Sequence, residues 1–306
     1  MKVLRNLVKV LSAVSVVLLL SACGPDFAES GNSIIDGPEA VSLIEQDGVV
    51  LVDTQAANFY QMEHADGAVN ISRADIVVSE PYPNLVGTKT QIEEVLGGKG
   101  ISNDSTVVIY DTNKNMDSAR LWWTMKAYGH PVDKIKVVSG GLSALKRAGV
   151  AVGNDKVAPS AVAYTAKEFD SSMMATLEDV KAQVNDPSED TCIIDTRTLE
   201  EYREGTIPGS VHINFVNNNF KDDTYKPADQ IQILYLENEI KPEDTVIMFC
   251  KTSIRGAQTH MALYNAGYRN LKLYDAAWVE WSSKPSLPVY TPEQPTMPVP
   301  TQQDGS

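Results

Sequence analysis

The chain repeats itself once, and this repeat constrains the fold more than any other feature of the sequence. Two short apolar runs end in Asp53 and Asp195, and each is followed by a segment of the pattern Gly-Ser/Ala-Val-x-Ile. Asp53 and Asp195 are 142 positions apart, while Asp111 and Cys250, which end the next pair of apolar runs, are 139 apart. Offsets that drift so little predict two copies of one domain.

Within each copy, short apolar runs alternate with amphipathic segments. The predicted strands are 49–53, 106–111, 135–139, 191–195, 245–250 and 271–275. The helical patterns at 117–128 and 257–266 are followed by Gly129 and Gly267, the residue type favoured just past a helix end. Strand followed by helix, repeated, predicts an α/β fold in which each copy is a mostly parallel sheet flanked by helices.

The ends of the two copies are indicated by composition. We predict the first domain at 33–153, a linker at 154–165, where Gly, Asn, Asp and Pro break the periodicity, and the second domain at 166–290. The segment 291–306 is rich in Pro, Gln and Thr. It cannot bury a core, so we expect a disordered tail, with a short partner-binding motif as the other interpretation.

Six consecutive residues at the end of one predicted strand include a thiol, two hydroxyls and two cations, and they are the strongest candidates for a catalytic site. They are Cys250, Lys251, Thr252, Ser253, Ile254 and Arg255. A thiol at the carboxyl end of a buried strand, with a turn of backbone N–H groups and a helix N-terminus beside it, lies in positive potential. Because such a field favours the thiolate, Cys250 is a candidate nucleophile.

Together, the strand ending in Asp, the Gly-Ser/Ala-Val-x-Ile segment, the six-residue Cys loop and the closing Trp278 to Trp281 resemble a tandem rhodanese-type sulfurtransferase over residues 33 to 290. In that family the N-terminal copy is commonly silent and the C-terminal copy carries the cysteine. Asp111 stands where Cys250 stands in the second copy. The resemblance implies that Cys250 carries a persulfide, and that Asp195 helps to order the loop.

The remaining loop residues have more than one interpretation. Lys251 resembles the cation of members that use thiosulfate, or it is a solvated charge. Ser253 offers its hydroxyl to the persulfide, or it bonds its own turn. Arg255 organises the loop and supplies charge, or it forms a structural salt bridge. Arg197, two residues beyond Asp195, is either in the same crevice or on the surface.

Three positions depart from the family pattern. Thr206 replaces the His of a usual His-Ile-Pro-Gly motif, Ala276-Ala277 replaces glycine in the closing motif, and Glu201 stands where donor-binding members often have arginine. We expect Glu201 to repel thiosulfate. The donor is therefore either thiosulfate or 3-mercaptopyruvate, and the acceptor is cyanide or a thiol.

Two other classes of function remain open at this stage. A six-residue loop is tighter than that of cysteine phosphatases, whose arginine lies six positions after the cysteine, so persulfide chemistry is favoured over phosphate chemistry. The alternative to an enzyme is a lipid-anchored module that binds a partner or senses redox state through Cys250 without turnover.

Residues 1–22 have the pattern of a lipoprotein signal peptide. Lys2, Arg5 and Lys9 precede an apolar run, and Leu20-Ser21-Ala22-Cys23 resembles the bacterial lipobox. We expect a chain acylated on Cys23, tethered by residues 23–32 and membrane-anchored from the periplasm of a Gram-negative bacterium. Gly24 follows the cysteine where inner-membrane lipoproteins typically have Asp, which favours the outer membrane. A plain cleaved signal and an uncleaved anchor are the other interpretations.

Charge and cysteine count limit the partners. The chain has 26 basic and 40 acidic residues and a formal net charge of −14, which disfavours nucleic acid. An anionic donor must therefore be bound by local groups. Three cysteines and four scattered histidines offer no metal-ligand spacing, and we expect neither a metal nor a cofactor. Cys192 is expected to be a core thiol, and His260 a core or surface histidine rather than a catalytic base.

Overall fold

The computed structural model describes residues 25–292, so the predicted signal peptide, Cys23 and all but the first two residues of the predicted tail lie outside the described residues. The elements of the first copy are β1 (Ile34–Ile35), α1 (Gly37–Ile44), β2 (Val49–Asp53), α2 (Ala57–Tyr60), β3 (His64–Ala65), β4 (Val69–Asn70), β5 (Val77–Val78), β6 (Leu85–Val86), α3 (Lys89–Gly98), β7 (Thr106–Tyr110), α4 (Met116–Ala127), β8 (Ile135–Val138), α5 (Gly141–Arg147) and β9 (Val152–Gly153). Those of the second copy are β10 (Met174–Ala175), α6 (Leu177–Asn185), β11 (Thr191–Asp195), α7 (Leu199–Glu204), β12 (Val211–His212), α8 (Ala228–Leu236), β13 (Thr245–Phe249), α9 (Ile254–Asn265), β14 (Leu271–Tyr274) and α10 (Ala277–Ser282).

Each copy is built on a five-stranded parallel sheet with the same order of strands. The first sheet runs β1-β8-β7-β2-β4 and the second β10-β14-β13-β11-β12. The predicted α/β fold with two tandem parallel-sheet domains is confirmed. In register, Asp53 lies opposite Tyr110 and Asp195 opposite Phe249. Asp111 and Cys250 therefore occupy the same place, at the carboxyl end of the central strand of each sheet.

The two copies share one apolar core. Trp122 and Trp123 of α4 and Met261 and Leu263 of α9 are fully buried in a cluster that continues into both sheets. A separate core fills the outer face of each sheet, under α1 and α5 in one copy and under α6 and α10 in the other. Helices α4 and α9 thus form the joint between the domains.

The second helix begins earlier than its pattern predicts. Helix α9 starts at Ile254 rather than at 257, because Ser253 takes a left-handed conformation, with φ of 61°, and turns the chain directly into the helix. Both predicted helix-ending glycines do take a left-handed φ, 80° at Gly129 and 99° at Gly267. The early start matters for the site because it moves Arg255 from the loop into the first turn of α9.

Residues 27–32, which the sequence suggested as part of a free tether, and Ser33 lie against the second domain. The Phe27 ring packs edge-on against Tyr268, with centroids 5.4 Å apart, and the Ala28 N–H donates to the carbonyl of Gly267 at 3.2 Å. Ser33 donates its N–H to the side-chain oxygen of Asn265. The segment therefore crosses the C-terminal end of α9 before it enters β1. No helix within residues 25–292 is long and apolar enough to span a bilayer.

Ala277 lies at a backbone position where the first copy has a glycine, Gly141. Ala277 has a φ of 55°, and Gly141, which lies at the same point of the first copy, has a φ of 54°. A Cβ at Gly141 would meet the carbonyl oxygen of Asp111 at 2.0 Å. A left-handed conformation costs an L-residue about 1–2 kcal/mol, so Ala277 holds backbone strain.

Ala277→Gly should therefore raise the free energy of unfolding by about 1 kcal/mol, because it removes the left-handed penalty. The matched control is Ala276→Gly, since Ala276 has an ordinary φ of −71° and should lose about 0.5–1 kcal/mol on the same substitution. Urea unfolding of the full chain measures both. A loss of stability in Ala277→Gly equal to that of the control would show that the strain is absent.

Candidate active site

Cys250 lies at the head of a short loop between β13 and α9. Its side chain is 1% exposed, and its carbonyl accepts the N–H of Trp278 at 3.0 Å. The loop proper comprises only residues 250–253, because Ile254 and Arg255 already belong to α9. The thiol is therefore placed beside the N-terminus of a twelve-residue helix, where the backbone favours negative charge.

The corresponding loop of the first copy shows what such a backbone binds. The Asp111 carboxylate accepts five hydrogen bonds of 2.9–3.1 Å, from the N–H groups of Asn113, Asn115, Asp117 and Ser118 and from the Ser118 hydroxyl. Asn115, like Ser253, is the left-handed residue that precedes its helix, and the first loop is one residue longer. In this type of loop the N–H groups thus converge on the side chain of the first residue. At Cys250 they are suited to a thiolate or a persulfide anion.

A large cavity lies above Asp111 in the first copy. Its volume is about 810 Å³, and its lining includes Phe59, Arg73, Asn84, Asp111 and Asp117. Because the Asp111 carboxylate already accepts from the N–H groups on the floor of this crevice, these groups are not available to another anion. The two loops have diverged in chemistry while keeping the same backbone framework.

Arg255 lies beside the thiol, and it is paired with a carboxylate. Its guanidinium donates to both carboxylate oxygens of Glu201, at 2.5 and 2.9 Å. Burial by itself would lower the pKa of Arg255, but the pKa lies above its ordinary value because Glu201 and the sulfur of Cys250 favour the cation. The hydrogen bonds from Arg255 lower the pKa of Glu201 to about 2. The pair is therefore fully ionised at neutral pH.

This pair changes the interpretation of Glu201. The sequence suggested a carboxylate that repels an anionic donor, but the bidentate contact neutralises Glu201 and occupies Arg255 at the same time. The capping box of α7, in which Thr198 and Glu201 exchange hydrogen bonds, fixes the carboxylate in place. Both interpretations of Arg255 thus have a structural basis, since it forms a salt bridge and lies beside the sulfur.

Asp195 and Arg197 form a buried ion pair under the site. The guanidinium of Arg197 contacts Asp195 at 2.6 Å, donates to the carbonyl of Gly205 and stacks on the ring of Trp278 at 4.4 Å. Asp195 also accepts the hydroxyl of Thr206 at 2.8 Å. Arg197 is thus neither on the surface nor free to bind a donor. It supports Trp278, whose N–H holds the carbonyl of Cys250.

Lys251 is not part of this paired set of charges. Its side chain is exposed, and within residues 25–292 it forms no salt bridge. Its carbonyl accepts the N–H of Val279 at 3.2 Å, so the backbone at this residue is anchored while the ammonium is solvated. Lys251 is available to an incoming anion.

Sequence reasoning missed a buried ion pair that joins the first domain to the Cys250 loop. Arg120 of α4 is fully buried, and its guanidinium contacts Asp275 at 2.7 Å, across the domain boundary. Asp275 accepts the hydroxyl of Ser253 at 2.8 Å through the same oxygen. The Ser253 hydroxyl also lies 2.8 Å from the carbonyl of Thr252, so its single proton serves the loop itself rather than a persulfide.

The segment 84–86 of the first domain makes two further contacts with the same loop region. The Asn84 amide donates to the hydroxyl of Thr252 at 2.9 Å, and the carbonyl of Asn84 accepts from Arg120. The N–H of Val86 donates to the second oxygen of Asp275 at 2.7 Å. Thr252 and Ser253 are therefore held by the first domain, which forms part of the candidate site.

The other candidate residues lie outside this arrangement. Burial raises the pKa of Cys192 to about 12, so this thiol stays protonated and inert. His260 is 1% exposed in the interface core, and burial lowers its pKa to about 3. It is a neutral core residue without a catalytic role. In the part of the chain that the structure describes, no cluster of three His, Cys, Asp or Glu could hold a metal ion.

Comparison with known proteins gives a single family. The model of the rhodanese-like domain matches residues 37–148 and again residues 176–284. A protein of Haloferax volcanii named "Putative thiosulfate sulfurtransferase" is 30% identical over 270 residues, covering 82% of this chain and 88% of its own length. A protein of Mycobacterium leprae with the same name is 27% identical over 275 residues, covering 84% of this chain and 96% of its own.

Solved structures share the whole two-domain fold. The wild-type structure of EanB superposes with a TM-score of 0.78 at 20% identity, over 88% of this chain and 71% of that one. The anaerobic ergothioneine biosynthesis enzyme from Chlorobium limicola, solved with trimethyl histidine, gives 0.78 at 21% identity, over 88% and 72%. At this identity the likeness is one of fold.

The Arg120–Asp275 pair generates a prediction about stability. Arg120→Met leaves the Asp275 carboxylate buried without a cation, so the free energy of unfolding should fall by about 3–5 kcal/mol. The double variant Arg120→Met/Asp275→Leu should recover at least half of this loss, because no uncompensated charge remains. The control is Arg73→Met, since the Arg73–Asp117 pair is partly exposed and should cost only about 0–1 kcal/mol. Urea unfolding of the full chain measures all three, and equal losses at Arg120 and Arg73 would contradict the prediction.

Proposed function

Because this chain belongs to the tandem rhodanese-type sulfurtransferases, we propose that it moves sulfane sulfur from a donor such as thiosulfate or 3-mercaptopyruvate to cyanide or a thiol, through a persulfide on Cys250. One observation carries the proposal: Cys250 alone heads a loop whose backbone, in the first copy, donates four N–H groups to a single anionic side chain. The shared name of the curated relatives supports the same reaction class.

The reaction has two displacement steps. The Cys250 thiolate attacks the outer sulfur of thiosulfate, a new S–S bond forms, and the electron pair of the broken S–S bond leaves with sulfite. Cyanide or a thiolate then attacks the outer sulfur of the persulfide, and the Cys250 thiolate is regenerated as the leaving group. With 3-mercaptopyruvate the bond that breaks in the first step is a C–S bond, whose electron pair leaves with the enolate of pyruvate, and this enolate takes up a proton to give pyruvate. Each step transfers a sulfur atom without an external oxidant or reductant.

The surrounding groups have separate tasks in these steps. The loop N–H groups and the N-terminus of α9 stabilise the thiolate and the persulfide anion. Arg255 adds positive charge next to the sulfur, and Lys251 meets the charge of the donor. Asp195 and Arg197 support Trp278 behind the loop, while Arg120 and Asp275 hold Ser253 from the first domain.

We also propose that the chain is a lipoprotein, anchored through acylated Cys23 to the outer membrane and facing the periplasm. The lipobox-like sequence Leu20 to Cys23, with Gly24 after it, supports this location. Phe27 packs on the second domain, so only residues 24–26 separate Cys23 from the folded chain. Because the segment crosses the C-terminal end of α9 while Cys250 lies at its N-terminal end, the active site would face away from the lipid.

The first test of this proposal is at Cys250. Incubation of the full chain with thiosulfate or 3-mercaptopyruvate should add the mass of one sulfur atom to the Cys250 peptide, and cyanide should remove it. Cys250→Ser should abolish transfer to cyanide, whereas Cys192→Ala, the control, should retain it. Oxidation of Cys250 with no sulfur gain from either donor would favour a redox or binding module instead.

The second test concerns location. Because signal removal precedes an acylated cysteine, the mature chain should begin at Cys23, carry lipid there and fractionate with outer-membrane markers. Intact-mass analysis of protein from membranes measures the modification, and Cys23→Ser serves as the control that should not be acylated. A soluble unacylated chain from wild-type cells, or one that retains Met1, would exclude a lipoprotein.

A further inference from the structure

The cations around the Cys250 loop differ in whether a carboxylate neutralises them. Arg255 lies beside the sulfur, but both of its terminal nitrogens donate to the carboxylate oxygens of Glu201. Arg197 is buried against Asp195. Of the cations that the described structure places at the loop, Lys251 is exposed and without a salt bridge. An incoming donor therefore meets one solvated ammonium and one guanidinium that is already occupied.

Contacts with Arg255 and Thr198 hold the Glu201 carboxylate in place. The Glu201 side chain is 29% exposed and the Arg255 side chain 18%, so the pair is partly shielded from water. The Thr198 N–H donates to the oxygen of Glu201 that also accepts from Arg255, at 3.1 Å, which ties the carboxylate to the start of α7. A planar bidentate contact of this kind is stronger and more rigid than a single charged hydrogen bond.

The pair is a feature of the catalytic copy alone. The residue that corresponds to Glu201 in the first copy is Phe59, and the one that corresponds to Arg255 in the first turn of α4 is Asp117, which binds Arg73 at 2.6 Å. In the second copy the cation lies on the helix after the loop and the anion on α7, whereas in the first copy the anion lies on the helix and the cation is Arg73, outside α2. Glu201 is not required by the fold, since the first copy does without it.

We propose that Glu201 determines donor specificity. Because Glu201 pairs with Arg255, the guanidinium is not available to the donor, and Lys251 is the cation that interacts with the donor's charge. The site therefore binds a monoanionic sulfur donor such as 3-mercaptopyruvate in preference to the thiosulfate dianion. This inference rests on the proposed function, because it concerns the donor for the persulfide on Cys250. The displacement steps are unchanged, and only the relative affinity for the two donors is set by Glu201.

Glu201→Gln is the direct test, because it removes the charge while keeping the shape. In the full chain, the ratio of kcat/KM for thiosulfate to kcat/KM for 3-mercaptopyruvate should rise about tenfold in this variant, as Arg255 becomes available to the second charge of thiosulfate. The matched control is Glu200→Gln, one residue away on the same helix and exposed, which should leave the ratio unchanged. Both donors are measured on the same preparation, so a change in the folded fraction cancels in the ratio.

A second measurement does not depend on turnover. Iodoacetate and iodoacetamide have nearly the same size and differ by one negative charge, and alkylation of the Cys250 peptide by each is quantified by mass spectrometry. The rate ratio of iodoacetate to iodoacetamide should rise severalfold in Glu201→Gln and stay constant in Glu200→Gln. If neither donor adds sulfur to Cys250 in any variant, the proposed function fails, and the alkylation ratio still decides whether Glu201 controls charge at the site.

The proposal is overturned by either of two results. One is that both ratios in Glu201→Gln equal those of the wild type, which would mean that Arg255 does not meet the donor in either case. The other is that Glu200→Gln raises the ratios as much as Glu201→Gln, which would mean that only the overall charge of α7 matters. A wild-type enzyme that prefers thiosulfate over 3-mercaptopyruvate also contradicts it.

Discussion

The packing of α4 against α9 is the contact on which the rest of the molecule depends. Each helix follows the loop of its own copy, so the joint that fuses the two domains also brings both loops to the interface. Its centre is fully buried and includes Trp122, Trp123 and Met261. Because a close-packed apolar interface behaves as one core, we expect the first domain and the Cys250 loop to move together. A copy without a cysteine in its loop is therefore part of the structure that holds the Cys250 loop.

On this joint the two copies have specialised by small changes. The residue after β8 and the residue after β14 each accept a backbone N–H from the other domain: Ser139 from Tyr225 and Asp275 from Val86. The replacement of a serine by a carboxylate in the second copy is balanced by Arg120, and the same carboxylate then binds the loop residue Ser253. The two copies therefore differ at this contact by one buried ion pair, Arg120–Asp275, which lies next to the Cys250 loop.

Much of this could be predicted from the sequence, and the failures have physical causes. The repeat and the alternation of strands and helices predicted the fold, because apolar periodicity depends on burial within each element. The start of α9 was wrong by three residues because the left-handed turn at Ser253 is not part of any hydrophobic pattern. The contact between Arg120 and Asp275 was missed because it joins elements far apart in the chain, and nothing local to either residue indicates its partner.

The effect of Glu201 on an anion depends on its pairing with Arg255, which the sequence alone does not indicate. In the sequence the residue is one more acidic side chain in a chain of net charge −14, and it predicts repulsion of anions. In the structure its charge is cancelled by Arg255, so its effect on an anion comes from occupying that cation rather than from a field of its own. A pKa of about 2 means that only strong acid would break the pair by protonation. Since the carboxylate stays ionised across the range in which the thiolate reacts, any discrimination that Glu201 imposes is a fixed property of the site and not one that pH would switch.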